Sequence, residues 1–368
     1  MKKLTTKLLG LMLSLALVLT GCSSGTSNTE SNSKDDEKGI KVGFIYTSST
    51  GDGGWTYEHE RGRLQVEEEL GVTTIYKESV PESDEVEKVA RDMIDQGCNI
   101  IFATSFGYMD YIEKVAKEFP EVKFFHCTGY KTLDNMSNYF GKIHDSLYLS
   151  GIVAGMKTTT NEIGFVAAFA IPEVIRNINA FTLGVRSVNP DAVVKVTWTN
   201  TWYDPAKEKE AALALIDQGV DVIAQHQNSG GPQQAAEEKG VFSVGYGSDM
   251  SNIAPKANMT SSLFNWGNYY VEAIKSVEDG TFKAESYWRG FDTGVIGLAP
   301  LTANAPDGAQ AKVDEIQKKL ADESFVIFSG AIKDNKGELR VKEGQTLTDE
   351  ELLAMDWLVE GVVGEIQN

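Results

Sequence analysis

The sequence predicts an α/β protein of two Rossmann-like lobes, each a parallel sheet with helices on both faces. From residue 41 onward, short apolar runs alternate with helix-patterned stretches, the signature of a parallel sheet covered by its own crossovers. Two helix-closing phrases, Ile94-Asp95-Gln96-Gly97 and Ile216-Asp217-Gln218-Gly219, nearly repeat and mark two similar halves. About 330 residues follow residue 39, enough for two cores of ordinary domain size.

The elements follow in order. Residues 41–47 (KVGFIYT) read as a strand ending in a Ser/Thr/Gly loop, and 55–70 carry a helical pattern closed by Gly71. The unit recurs as strand 74–80 with helix 83–96, strand 99–104 with helix 108–119 stopped at Pro120, and strand 122–128. A further strand at 138–143 leads into a helical stretch at 145–157. The second series starts with strand 162–168 and a helix from Pro172, since proline suits a first helical turn. Strands 193–199, 220–226 and 242–247, with helices 205–218 and 232–239, complete it. Strand 259–264, helix 266–278 and a strand-like 326–333 before the Asn335-Lys336-Gly337 turn remain. The expected division is residues 40–143 and about 266–285 in the first lobe, and 144–265 and about 286–368 in the second.

The first 39 residues read as an address. Lys2, Lys3 and Lys7 precede an apolar run at 8–19 that is short for a bilayer span, so residues 1–21 are expected to be a signal peptide. Leu19-Thr20-Gly21-Cys22 fits cleavage ahead of a lipidated cysteine, which makes Cys22 the expected lipidation site. Residues 22–39 are polar with almost nothing apolar, a flexible linker between lipid and lobes. Localisation follows as the extracytoplasmic face of the cell membrane, tethered by lipid.

The formal charge is −19, and losing the three leader lysines takes it to about −22, which disfavours nucleic acid as a partner. Cys98 and Cys127 sit beside apolar runs and read as buried free thiols. His59, His126, His144 and His226 are scattered without ligand spacing, so neither a metal nor a cofactor is expected. Neither a P-loop nor a dinucleotide fingerprint occurs, and no cysteine has a recognisable nucleophile's partner.

Ligands of open parallel sheets bind beyond the carboxyl ends of the strands. There the chain places Trp55 and Tyr57 after its first strand, then Ser105, Phe106 and Tyr108 after its third. The second half supplies Trp202, His226, Gln227, Asn228 and Asp249, with Trp266 after the later strand. Aromatics on two lobes can stack a flat ligand, and amides, hydroxyls and carboxylates can read its edge.

The lipobox, Val42-Gly43-Phe44-Ile45, Gly51-Asp52-Gly53-Gly54-Trp55, Gly129-Tyr130-Lys131 and Trp202-Tyr203-Asp204-Pro205 together resemble the basic membrane protein (BMP) family. The resemblance implies a type I periplasmic-binding-protein fold with lobes joined by crossovers. It also implies a substrate-binding lipoprotein of an ABC importer, working with a permease and its ATPase. In the family's nucleoside binders the base lies between two aromatics, and Trp55 and Trp202 occupy the matching positions. Those relatives hold ribose with an acid and a lysine where this chain has Gly247 and Phe264. A purine base is therefore the expected ligand of a monomeric, non-enzymatic binding protein. The alternatives are a purine nucleoside, a nucleoside-processing enzyme using Asp52 or Asp249, and a sensory lipoprotein.

Overall fold

The computed structural model describes residues 39–367; the expected leader, Cys22 and nearly all of the linker lie outside the described residues. The first series runs β1 (Lys41–Ile45), α1 (Trp55–Leu70), β2 (Thr73–Lys77), α2 (Glu85–Asp95), β3 (Ile100–Ala103), α3 (Met109–Glu118), β4 (Lys123–Cys127) and β5 (Met136–Gly141). The second runs α4 (His144–Lys157), β6 (Glu162–Ala167), α5 (Pro172–Val188), β7 (Val193–Trp198), α6 (Pro205–Ile216), β8 (Val222–Gln225), α7 (Gly231–Lys239), β9 (Phe242–Gly247) and β10 (Asn258–Phe264). There follow α8 (Trp266–Glu278), β11 (Ser286–Arg289), β12 (Ile296–Leu298), α9 (Ala309–Ala321), β13 (Ile332–Lys333), β14 (Leu339–Val341), α10 (Asp349–Leu353) and β15 (Val362–Val363).

One sheet is ordered β11-β5-β4-β3-β1-β2 and is parallel throughout. The other is ordered β12-β10-β9-β8-β6-β7-β15, parallel except for the antiparallel edge strand β12. Within them β2-β1-β3-β4-β5 and β7-β6-β8-β9-β10 are the same arrangement, so the repeated helix-closing phrase marks a repeated topology. Each sheet changes winding direction between its first and third strands, at β1/β3 and β6/β8, and opens a crevice there.

Parallel register builds the cores. Phe44, Phe102 and Phe125 sit at matched positions of β1, β3 and β4 and stack with centroids 5.0 and 4.8 Å apart. All three are buried, as strands covered on both faces require. Helix starts follow local chemistry. The Asp204 carboxylate accepts the Lys207 N–H at the start of α6, with Pro205 in the first turn. Cys98 and Cys127 are buried free thiols. Among the described residues no helix is long and apolar enough to cross a membrane.

The chain passes between the sheets three times, at β5 to α4, β10 to α8 and β11 to β12. The last passage corrects the expected boundary near residue 286: Ser286–Arg289 pairs with β5 and extends the first sheet. The strand expected at 326–333 shrinks to Ile332–Lys333, which pairs with β14. An edge strand this late in the chain has no sequence pattern of its own; it is fixed by an unpaired partner at the sheet edge.

Candidate functional site

A narrow cavity of about 50 Å³ lies where the carboxyl ends of the two sheets face each other. One side supplies Thr47, Trp55, Ser105, Phe106 and Thr128, all just beyond β1, β3 or β4. The other supplies Glu173 from the first turn of α5, Trp202 after β7, His226 and Asn228 after β8, and Tyr246 near the end of β9. A single water needs about 10–15 Å³ on a comparable measure, so the cavity suits a small, compact ligand.

Trp55 is anchored, because its indole N–H donates to the Thr104 carbonyl at 2.8 Å. Behind it stand Phe264 and Trp266 at 5.5 Å each and His59 at 4.6 Å, all edge-on. Trp202 leans on Phe169 at 4.9 Å, and its carbonyl accepts the Asn228 N–H at 3.1 Å, tying the β7 loop to the β8 loop. His226 stacks on Tyr246 at 4.5 Å.

The loop before α1 explains its own glycines. Asp52 is buried and accepts N–H bonds from Gly54, Thr56 and Tyr57 at 2.9, 3.0 and 2.9 Å, capping α1 from two residues outside it. That loop presses on the opposite side of the cleft: the Ser248 hydroxyl donates to the Gly53 carbonyl, and a Cβ at Gly54 would collide with the Asn228 carbonyl. The two sides are therefore closed on each other at this rim.

The polar groups of the cavity divide by whether the protein already uses them. His126 is kept neutral, its pKa pushed down to about 4 by burial, while its Nε2–H donates to the Ser105 carbonyl at 2.7 Å. The Ser105 hydroxyl donates to Glu82 at 2.5 Å. By contrast both ring nitrogens of His226 and the Tyr246 hydroxyl have no hydrogen-bond partner among the described residues. Burial, and then the Glu173 carboxylate, hold the Tyr246 pKa well above its usual value, so its O–H stays a donor. Glu173 lies 3.5 Å from His226 Nε2, too long for a good hydrogen bond. Buried polar atoms are nearly always paired, so His226 and Tyr246 bring unused hydrogen-bonding capacity to the cavity, beside the Glu173 carboxylate.

Of the residues expected from sequence, Trp55, Ser105, Phe106, Trp202, His226 and Asn228 meet in this cavity. Five others do not line it. Tyr57 points to solvent and Asp249 is exposed, where it accepts the Ser251 N–H. Tyr108 is fully buried and its hydroxyl donates to the Val80 carbonyl. The Gln227 amide is spent on the Thr199 hydroxyl at 2.8 Å. Trp266 is fully buried and stacks on Phe264 at 4.4 Å, one layer behind Trp55. Sequence reasoning missed Thr47, Thr128, Glu173 and Tyr246. Tyr246 lies in a strand-end phrase and was recoverable; Glu173 needed the placement of α5 across the cleft. Among the described residues no three His, Cys, Asp or Glu side chains gather as metal ligands.

Residues 40–335 match the family model described as ABC transporter substrate-binding protein PnrA-like, the Bmp family. The chain belongs to the Bmp family. A purine-binding protein of Brucella abortus is 42% identical over 89% of this chain and 93% of its own length. A putative ABC transporter glucose-binding protein of Haloferax volcanii is 37% identical over 89% of this chain and 81% of its own. An ABC transporter solute-binding protein of Aeropyrum pernix superposes with a TM-score of 0.67 at 22% identity, covering 86% of this chain and 98% of that one. Another from Conexibacter woesei gives 0.66 at 24% identity, over 78% and 98%. The fold is therefore the type I periplasmic-binding-protein fold expected from the sequence. As a Bmp-family protein the chain is a substrate-binding component of an ABC transporter, acting outside the cytoplasm with a permease and an ATPase.

Proposed function

We propose that this Bmp-family protein is a lipid-anchored, monomeric receptor that captures a purine base between Trp55 and Trp202 and hands it to its permease without altering it. Stacking holds the ring, and Glu173, His226, Asn228 and Tyr246 read its polar edge. Base stacking on an aromatic is worth about 1–3 kcal/mol, and the unpaired edge groups supply selection against ligands that leave them unsatisfied. The Brucella relative supports the purine class.

One observation carries the choice of base over nucleoside. Phe264, at a position where nucleoside-binding relatives have a sugar-holding charge, is fully buried against Trp266 and Trp55. A side chain at Gly247, the other such position, would stand 3.9 Å from the Gly54 backbone across the cleft. Neither position carries a charged side chain, and a ribose would have to desolvate its hydroxyls at roughly 1.5–3 kcal/mol per lost charged hydrogen bond.

Titration calorimetry against adenine, guanine, hypoxanthine, xanthine, their nucleosides and glucose tests the reading. The expected result is a free base binding tightest; a nucleoside or glucose binding tighter than every base would overturn it. For the anchor, Cys22→Ala should release the protein from membranes and leave base affinity unchanged. Membrane retention of that variant would refute lipidation at Cys22.

A further inference from the structure

The base cavity does not end at its own walls. A second chamber of about 310 Å³ shares Phe106, Thr128 and Glu173 with it. Its walls are mostly apolar: Phe140 and Trp288 on one lobe, Ile171, Pro172 and Leu353 on the other. Phe106 and Tyr130 are 44% and 69% exposed, with ring centroids 6.5 Å apart. Water-exposed aromatic surface continuous with a ligand cavity marks a place where further apolar ligand surface can be buried. Gly247 and Phe264 do not line this chamber, so it is separate from the sugar-holding positions.

Glu173 stands where the two spaces join, and an ionised carboxylate only accepts hydrogen bonds. A secondary amine on the purine ring meets that geometry. It keeps one N–H for Glu173 while its other substituent runs on into the apolar chamber. We propose that the substrate class is a purine base bearing an apolar group on its exocyclic 6-amino nitrogen, the ring in the narrow cavity and the apolar arm in the adjoining chamber. The inference rests on the purine-base reading above and goes beyond it in naming the substituent and its seat.

Calorimetry with adenine, 6-benzylaminopurine and its isomer 9-benzyladenine tests it. The expected order is 6-benzylaminopurine at least tenfold tighter than adenine, and 9-benzyladenine weaker than adenine. Ile171→Trp, half-buried in the chamber and outside the base cavity, should erase that gain and leave adenine affinity unchanged. Tyr130→Ala, at an exposed position where folding is not at stake, should cost the benzylated base about threefold and adenine nothing. If adenine binds but 6-benzylaminopurine is no tighter, or Ile171→Trp keeps the gain, this inference falls and the purine reading stands. If no purine base binds, both fall together.

Discussion

Two kinds of side chain share the cavity, and single substitutions separate them. Trp202 packs on Phe169 and touches the cavity without belonging to a fully buried core, so Trp202→Ala should weaken base binding by at least about 1 kcal/mol while leaving the circular dichroism spectrum unchanged. An unaltered dissociation constant would make Trp202 scaffold. Tyr246 makes a sharper case, since its buried hydroxyl has no partner among the described residues. Tyr246→Phe should not lower the melting temperature, yet should cost about 0.5–1.5 kcal/mol in base affinity. Destabilisation with unchanged binding would contradict that assignment. Trp55 and Trp202 were legible in the sequence because an aromatic beyond a strand end is already in the right place. Glu173 was not, because its position depends on how α5 enters the cleft, a fact of packing.

At the scale of the element, α1 is the hinge of the chemistry. Its start is capped by Asp52, whose carboxylate accepts three backbone N–H groups. One turn on, Glu58 is buried and its pKa is pushed up to about 7 by desolvation, against the pull of Arg61, with Asp249 and Asp52 adding repulsion. A raised carboxyl pKa means the fold favours the protonated form. Its contribution is complete below the unfolded value near 4.5 and is lost as pH rises through about 7. His59, His126 and His144 have lowered pKa values and pull the other way, so the informative quantity is a difference. The melting temperature of Glu58→Gln minus that of wild type should grow between about pH 5 and pH 8. A pH-independent difference would show that Glu58 titrates as an ordinary surface acid. The strand and helix order of both halves was readable from periodicity; β11 and β15 were not, because edge strands of two to four residues borrow their pairing from strands far away in sequence.

For the whole molecule, closure depends on how closely two backbones can approach. Gly54 and the Asn228 carbonyl meet across the cleft at a distance that excludes even a methyl group. Gly54→Ala should hold the lobes apart: small-angle scattering should show no compaction on adding base, and affinity should fall at least about tenfold, or 1.4 kcal/mol. Normal compaction would show that the rim contact is incidental. The glycine run was visible in the sequence, but its purpose was not, since the residue it meets lies more than a hundred positions away.

The three passages between lobes also dictate when this protein can exist. The first sheet waits for β11, and α8, whose Tyr270 hydroxyl bonds His59 at 2.5 Å, arrives only after five of the second sheet's seven strands. A nascent chain with residues 39–143 complete has neither, so it holds an unfinished core. A fragment of residues 39–143 should show weak hydrogen-exchange protection, whereas the chain through residue 367 protects both sheets. The order of the strands along the chain thus leaves both cores open until late in its synthesis.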